Sequence, residues 1–141
     1  MQYVIDASVA LKWFLPEPYS DKADALLQRF LHQGLSLVSP DLLVPEVGNA
    51  LWKRSALQAE IPLSDAQESY RDFLRLQVPL ESSSVIANDA FNLAAQEQQT
   101  VYDALYVALA LQRGCEFVTA DQTLVTKLVR KFPQIRPLGS L

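Results

Sequence analysis

Tyr3-Val4-Ile5-Asp6-Ala7-Ser8 runs from an apolar strand signal into a carboxylate and the opening of a helix. Glu116-Phe117-Val118-Thr119-Ala120-Asp121 does much the same late in the chain. A short apolar run bounded by a helix start suits a buried strand of a parallel sheet, where each strand must be followed by a crossover. Working outward, the spacing predicts a helix from Val9 to Leu15 that Pro16 and Pro18 stop. Ser20 is expected to cap a second helix running to about His32, with Gly34 at its exit. Leu35 to Ser39 reads as a strand, and Asp41 is expected to open a long helix through Glu46 to about Ala59. Ile61-Pro62-Leu63 breaks it, and Ser64 starts another with Ala66, Tyr70, Phe73 and Leu74 at helical spacing. Gln77 to Glu81 is a short strand candidate, Ser84 to about Gln98 a helix, and Thr100 begins the most apolar helix, ending at Gly114. A strand over Glu116 to Thr119, a helix over Thr123 to Lys131 and an edge strand over Ile135 to Leu138 complete the prediction. Strands separated by helices of this length imply an α/β domain, its parallel sheet covered on both faces. Ligands gather at the carboxyl ends of such strands, and Asp6 and Asp121 fall there.

The length of 141 residues suits a single domain, 1–141, with a core of its own. Half the residues are apolar and a fifth are charged, which excludes a disordered chain. The first strand begins at once, so no secretory leader is expected, and no apolar run approaches the roughly 18 residues of a membrane span. Cys115 is the one cysteine and can form no internal disulfide, so a reducing, cytoplasmic setting is expected. His32 ends a polar helical stretch and reads as solvated. The lack of Cys and His partners argues against a zinc hydrolase. The net charge of −4 argues against a protein that merely coats nucleic acid. It argues less against a metal-dependent nuclease, whose bound cations restore the local balance.

Two more acids lie inside apolar helical stretches, Glu46 in Pro45-Glu46-Val47-Gly48-Asn49-Ala50-Leu51-Trp52 and Asp103 in Val101-Tyr102-Asp103-Ala104-Leu105-Tyr106-Val107-Ala108-Leu109-Ala110. A carboxylate removed from water must be paired, protonated or metal-bound. Each acid also has a structural reading. Asp6 and Asp121 stand where helix N-caps stand, and Ser8 could share that duty. Thr100-Val101-Tyr102-Asp103 fits a capping box, and Glu46 in a first turn suits the helix dipole. Together, Asp6, Glu46, Asp103 and Asp121 fit a shared divalent-metal site for cutting a phosphodiester. Mg²⁺ and Mn²⁺ prefer carboxylates and water, and such ions activate the attacking water and neutralise the phosphate and leaving oxygen. Asp21, Asp24, Asp65, Glu68, Asp72, Asp89, Glu97 and Glu116 read as solvated charges. Trp13, Phe14 and Trp52 read as core. Lys12 and Lys53 each lie one or two helical turns beyond a proposed ligand and could reach a phosphate.

On these residues the chain resembles the PIN-domain family, and within it the VapC-type toxin ribonucleases of bacterial and archaeal toxin–antitoxin pairs. Val4-Ile5-Asp6-Ala7-Ser8-Val9-Ala10-Leu11-Lys12-Trp13-Phe14-Leu15-Pro16-Glu17 is similar to the start of one such subgroup. The blocks around Glu46 and Asp103, and Val118-Thr119-Ala120-Asp121, follow in the family's order, so the resemblance covers the whole chain. It implies a Rossmann-like parallel sheet of order 3-2-1-4-5 with helices on both faces and an acidic pocket at its carboxyl edge. Asp6, Glu46, Asp103 and Asp121 match the family's metal-site acids, with Asp6 and Asp103 the principal ligands. Ser8 and Thr119 match polar positions lining the pocket, and Asn49 lies one turn after Glu46 on the same helical face. The resemblance also implies RNA cleavage dependent on Mg²⁺, for which Mn²⁺ can substitute, a small antitoxin partner and a homodimer. A non-catalytic PIN-like module that binds RNA or protein is the alternative, against which the four acids speak. A phosphoacceptor receiver domain fits poorly, because Asp6 stands alone before Ala7 and no lysine ends the late strand.

Overall fold

Alternate positions along a strand face opposite sides of its sheet, so the apolar pattern assigns each strand residue to one of two cores. The computed structural model of the protein describes residues 1–141. Strands β1 (Gln2–Ile5), β2 (Ser36–Pro40), β3 (Leu80–Glu81), β4 (Glu116–Thr119) and β5 (Ile135–Pro137) form an all-parallel sheet in the order β3-β2-β1-β4-β5. Tyr3, Ile5, Leu37 and Val118 pack on one side against α1 (Ala7–Ala10), α2 (Ser20–His32), α3 (Leu43–Trp52) and α4 (Leu63–Leu76). Val4, Val38 and Phe117 pack on the other against α5 (Ser83–Glu97), α6 (Val101–Arg113) and α7 (Gln122–Leu128). Burying one such Ile or Phe contributes about 1.5–3 kcal/mol, so a one-residue slip of β1 would forfeit several of these contacts at once. The expected fold class, sheet order and two-sided helical cover are all present.

The strand order reverses between β1 and β4, which makes the crevice beyond their carboxyl ends the topological switch point. Ile5 lies opposite Val118 in the parallel register, so Asp6 and Thr119 emerge side by side. Helix α6 reaches the same edge. Thr100 caps it by accepting a hydrogen bond from the Asp103 N–H, and Gly114 ends it in the left-handed region at φ 61°. Every residue from Ala104 to Ala110 is buried, because α6 lies between the sheet and α5. No helix is long and apolar enough to cross a membrane.

Several local expectations are corrected. The first helix starts at Ala7, because the Asp6 carbonyl accepts from the N–H groups of Val9 and Ala10, and it tightens into a 3₁₀ turn over Leu11–Trp13. Ser20 does not cap α2; its hydroxyl accepts from Glu17 N–H and donates to the Leu15 carbonyl, closing the Pro16–Pro18 turn. Asp41 does not open α3 with its side chain, which accepts from the Ser83 amide and hydroxyl and ties the end of β2 to the start of α5. Helix α3 stops at Trp52 and widens into a π turn over Lys53–Leu57, short of Ala59. Ser55 bonds back onto the Leu51 and Trp52 carbonyls there, a contact that loosens helices. Trp52, expected in the core, is 49% exposed, since α3 turns Leu43, Val47 and Leu51 inward instead. β3 is shorter than predicted because Gln77 takes the left-handed conformation that ends α4. β5 ends at Pro137, and α7 spans Gln122–Leu128, short of Lys131.

Candidate active site

Asp6 has just left β1, and its side chain turns toward β4 rather than capping the helix it precedes. Ser8 Oγ donates to Asp6 Oδ1 at 2.5 Å, and Thr119 Oγ1 donates to Asp6 Oδ2 at 2.6 Å. A hydroxyl has one proton to give. Both are therefore spent on Asp6, and the 3.3 Å approach of Ser8 Oγ to Thr119 Oγ1 is packing rather than a further bond. The same two oxygens accept from the chain beyond β4, Ser8 Oγ from Ala120 N–H at 2.9 Å and Thr119 Oγ1 from Asp121 N–H at 3.1 Å. One small network thus locks the ends of β1 and β4 together and fixes the direction of a buried carboxylate.

Glu46, on the first turn of α3, is held from the opposite side of the crevice. Tyr106 Oη donates to Glu46 Oε1 at 2.6 Å, and the buried Tyr106 ring lies nearly parallel to Phe117 of β4 at 5.6 Å. Burial and the Glu46 charge raise the phenol far above its ordinary range, so Tyr106 remains a donor. Asp103 sits half-buried on the first turn of α6. Its N–H takes the Thr100 hydroxyl oxygen at 3.1 Å, but its side chain does not return the second arm of a capping box. Asp121 does cap, accepting from Leu124 N–H at 3.2 Å through Oδ1.

The charges of these acids form a row. Burial pushes the Asp6 carboxyl up to about 6. The Ser8 and Thr119 hydroxyls, and the nearby Val9 amide, pull it down, and the Glu46 charge lifts it further. Glu46 is raised by burial and by Asp103, against the pull of Tyr106. Asp103 is raised by burial and by Asp121, eased by Thr100 and by Lys127 of α7. Each acid therefore makes the next harder to ionise. Lys127 is the one cation that offsets any of these shifts, and it acts at the Asp103 end alone.

As arranged, no three of these carboxylates form a ready-made cation cage. The donor chemistry nevertheless fits a hard divalent ion, since all the donors are oxygens and the row carries charge that its surroundings do not balance. The other residues singled out from sequence lie around this row. Asn49 is exposed beside Glu46 and Asp103, and Lys53 is exposed on the π turn with no ion pair. Lys12 is tucked away instead, pairing with Glu17 at 3.3 Å with only 9% of its side chain exposed. Sequence reasoning missed Tyr106 and Lys127. Tyr106 stands three residues after Asp103 and so shares its helical face, a signal that could have found it.

Known proteins resemble the chain along nearly all of its length. The PIN domain family model matches residues 3–127. Ribonuclease VapC3 of Pyrobaculum aerophilum is 36% identical over 137 residues, the match covering 96% of this chain and 98% of that protein. Among solved structures, PAE2754 from P. aerophilum superposes with a TM-score of 0.71 at 21% identity, covering 99% of this chain and 85% of that one. VapC20 of Mycobacterium tuberculosis, a toxin that cleaves the sarcin-ricin loop, gives a TM-score of 0.65 at 13% identity over 96% and 99% of the two chains. VapBC2 of Rickettsia felis, bound to a DNA fragment from its promoter, gives 0.59 at 12% identity, covering 97% of each chain. At these identities the solved structures speak for the fold, and the fold they share is the one described above.

Proposed function

Because this chain belongs to the PIN-domain family, we propose that it is a metal-dependent endoribonuclease, the toxin of a toxin–antitoxin pair. One observation carries the reading: a row of four carboxylates at the switch point of the sheet, each raising or facing the next, with the buried one oriented by two hydroxyls. A structural ion-pair network would have supplied cations for these acids. The name of the 36% identical relative, a ribonuclease, supports RNA as the substrate class.

In this reading Asp6 and Asp103 would be the principal ligands of Mg²⁺, or of Mn²⁺ in its place, with Glu46 and Asp121 supporting them directly or through water. The bound ion supplies an activated water and charge neutralisation on the phosphate. The chain's own residues do the positioning. Ser8 and Thr119 fix both Asp6 oxygens, Tyr106 fixes Glu46, and the Asp121 cap fixes the start of α7 against the crevice. No protein nucleophile is required. Lys53, exposed and unpaired, is available for a flanking phosphate. Lys12 would first have to leave Glu17.

The R. felis neighbour is a VapBC assembly, which supports a small antitoxin as partner here. The groove between α3 and α4, where Gly48, Trp52, Leu63 and Tyr70 meet, suits an amphipathic helical segment of such a partner. The same reading takes 1–141 as one domain that pairs as a homodimer.

The test is cleavage of mixed RNA by the purified protein with Mn²⁺ and with chelator. Wild type should cut only with the metal. Asp6→Asn and Asp103→Asn should lose activity by orders of magnitude with unchanged circular dichroism, because a neutral amide is a poor ligand for a hard cation. Wild-type rates in folded Asp6→Asn would refute the assignment, and a chain that never cuts RNA would leave the non-catalytic reading.

A further inference from the structure

A cleft of about 470 Å³ opens directly beside the acidic row, sharing Glu46 and Asp103 with it. That volume lies within the range of roughly 300–1,000 Å³ typical of small-ligand sites. At its rim stands Tyr102, 64% exposed and free of any side-chain hydrogen bond, one residue before Asp103 on the first turn of α6. What sets this exposed ring apart from the others on the surface is its place at the edge of the acidic crevice. We propose that this cleft is a subsite for one unstacked base of a single-stranded RNA, with Tyr102 as its stacking platform. The inference rests on the RNA-cleavage reading above and extends it to how the substrate is gripped next to the cut.

The lining has the mixture that a nucleobase needs. A base offers a flat apolar face and a polar edge, and proteins that take single strands meet the first with aromatic rings and the second with amides and hydroxyls. Leu42 and Pro45, at the start of α3, supply apolar surface to the same cleft as Tyr102. Asn49 and Thr100 supply the polar groups. The Asn49 side chain is exposed and makes no hydrogen bond within the protein, so its donors and acceptor are all available for an edge. The Thr100 hydroxyl is already engaged with Asp103, accepting from its N–H and easing its carboxylate, so Asn49 carries the recognition of the edge. A paired base in a duplex presents neither face nor edge in this way, so the subsite selects single-stranded or looped RNA. A base is also neutral, and it can enter beside Glu46 and Asp103 without adding to their repulsion.

The experiment measures binding of a short fluorescein-labelled single-stranded RNA of mixed sequence by anisotropy, with Asp6→Asn as the parent so that the RNA survives. Tyr102→Ala should weaken binding about tenfold, within the range measured for loss of a base–aromatic stack. Tyr102→Phe should bind like the parent, and Tyr102→Leu, which keeps bulk without a π face, should lose most of the affinity. The same RNA annealed to its complement should show no dependence on Tyr102. In the active protein, Tyr102→Ala should raise KM, leave kcat nearly unchanged and shift the preferred cut positions. Equal binding of the single strand by Tyr102→Ala and its parent, or an equal loss on the duplex, overturns the subsite. Activity lost in Asp6→Asn alongside Tyr102-independent binding would keep the nuclease and discard the subsite. Tyr102-dependent binding in a wild-type protein that cuts nothing would do the reverse.

Discussion

Two clusters of charge lie at the two ends of the first helical turn, and they are built on opposite plans. Ahead of α1, Asp6 begins a row of acids that raise one another and meet a cation only at Lys127. Beyond α1, the signs alternate: Lys12 pairs with Glu17, Glu17 with Arg54, and Arg54 with Glu60. Burial pushes Glu17 up just as it does Asp6, but the Arg54 hydrogen bond and the Lys12 and Arg54 charges more than reverse it, leaving Glu17 below its ordinary range. The fold can therefore satisfy a carboxylate within a few residues of α1 and does so for Glu17. In the row, by contrast, Asp103 alone is eased by a cation, Lys127, an imbalance that supports the proposed ligand role of these acids.

The largest stability effect that follows is a difference in sign between the clusters. Glu17→Ala strands Lys12, whose side chain is only 9% exposed, and leaves Arg54 with Glu60 alone. Breaking a part-buried pair from one side should cost about 2 kcal/mol, with RNA cleavage preserved wherever the protein is folded. Asp103→Asn should cost nothing or stabilise the protein in chelator, because it relieves repulsion and leaves the Thr100 cap intact, that bond being made by the Asp103 backbone N–H. Urea titrations of both variants read this directly. An Asp103→Asn protein as damaged as Glu17→Ala would erase the distinction between the clusters.

Acid separates them again, on a smaller scale. Asp6 holds its proton more tightly in the folded state, with a pKa of about 6 against 3.8 for the free group. Its charge destabilises the native state at neutral pH, and the penalty is relieved as pH falls through 6. Glu17 works in the other direction: its folded pKa is lowered, so it stabilises above its ordinary value and loses that contribution on further acidification. Metal-free stability should therefore rise by on the order of 1 kcal/mol between about pH 7 and pH 5, by the linkage of a two-unit shift. Below about pH 4, where the Asp6 gain is complete, the loss at Glu17 should lower it. Asp6→Asn should flatten the rise and leave the fall. A wild-type protein whose stability declines steadily from pH 7 would mean that Asp6 is not strained.

The difference between the clusters was only partly legible in the sequence. The crossover pattern could be read because the apolar runs at Tyr3–Ile5 and Phe117–Thr119 each lead to an acid beside a helix start, whereas the strand order came only with the family resemblance. The acids of the row could be named because they interrupt apolar stretches. Partners, however, are set by tertiary distance. Thr119 lies 113 residues from Asp6 and Tyr106 lies 60 from Glu46, so neither hydrogen bond has a local signature. The partner of Lys12 was hidden for the same reason. Its spacing beyond Asp6 suggested a phosphate contact, but Glu17 reaches it through the Pro16–Pro18 turn, whose closure by Ser20 overrode the expected helix cap. Trp52 was misplaced because apolarity says that a residue can be buried, while the phase of α3, set by Leu43, Val47 and Leu51, decides whether it is.

Asp121 belongs to both plans at once, and the smallest effect is the one that sorts its roles. Through Oδ1 it accepts from Leu124 N–H and starts α7, as a satisfied cap does. Its charge also raises Asp103, as a member of the row does. Asn caps nearly as well as Asp but carries no charge, whereas Ala does neither. Asp121→Ala should therefore lose about 1 kcal/mol of stability. Asp121→Asn should stay within a few tenths, since a lost favourable charge at the helix N-terminus is offset by relief at Asp103. Cleavage should fall in both, and by similar factors, if the charge serves the site. Denaturant melts beside initial rates for the two variants separate the roles. Asp121→Asn that cuts RNA at the wild-type rate would leave Asp121 a helix cap and shorten the functional row to Asp6, Glu46 and Asp103.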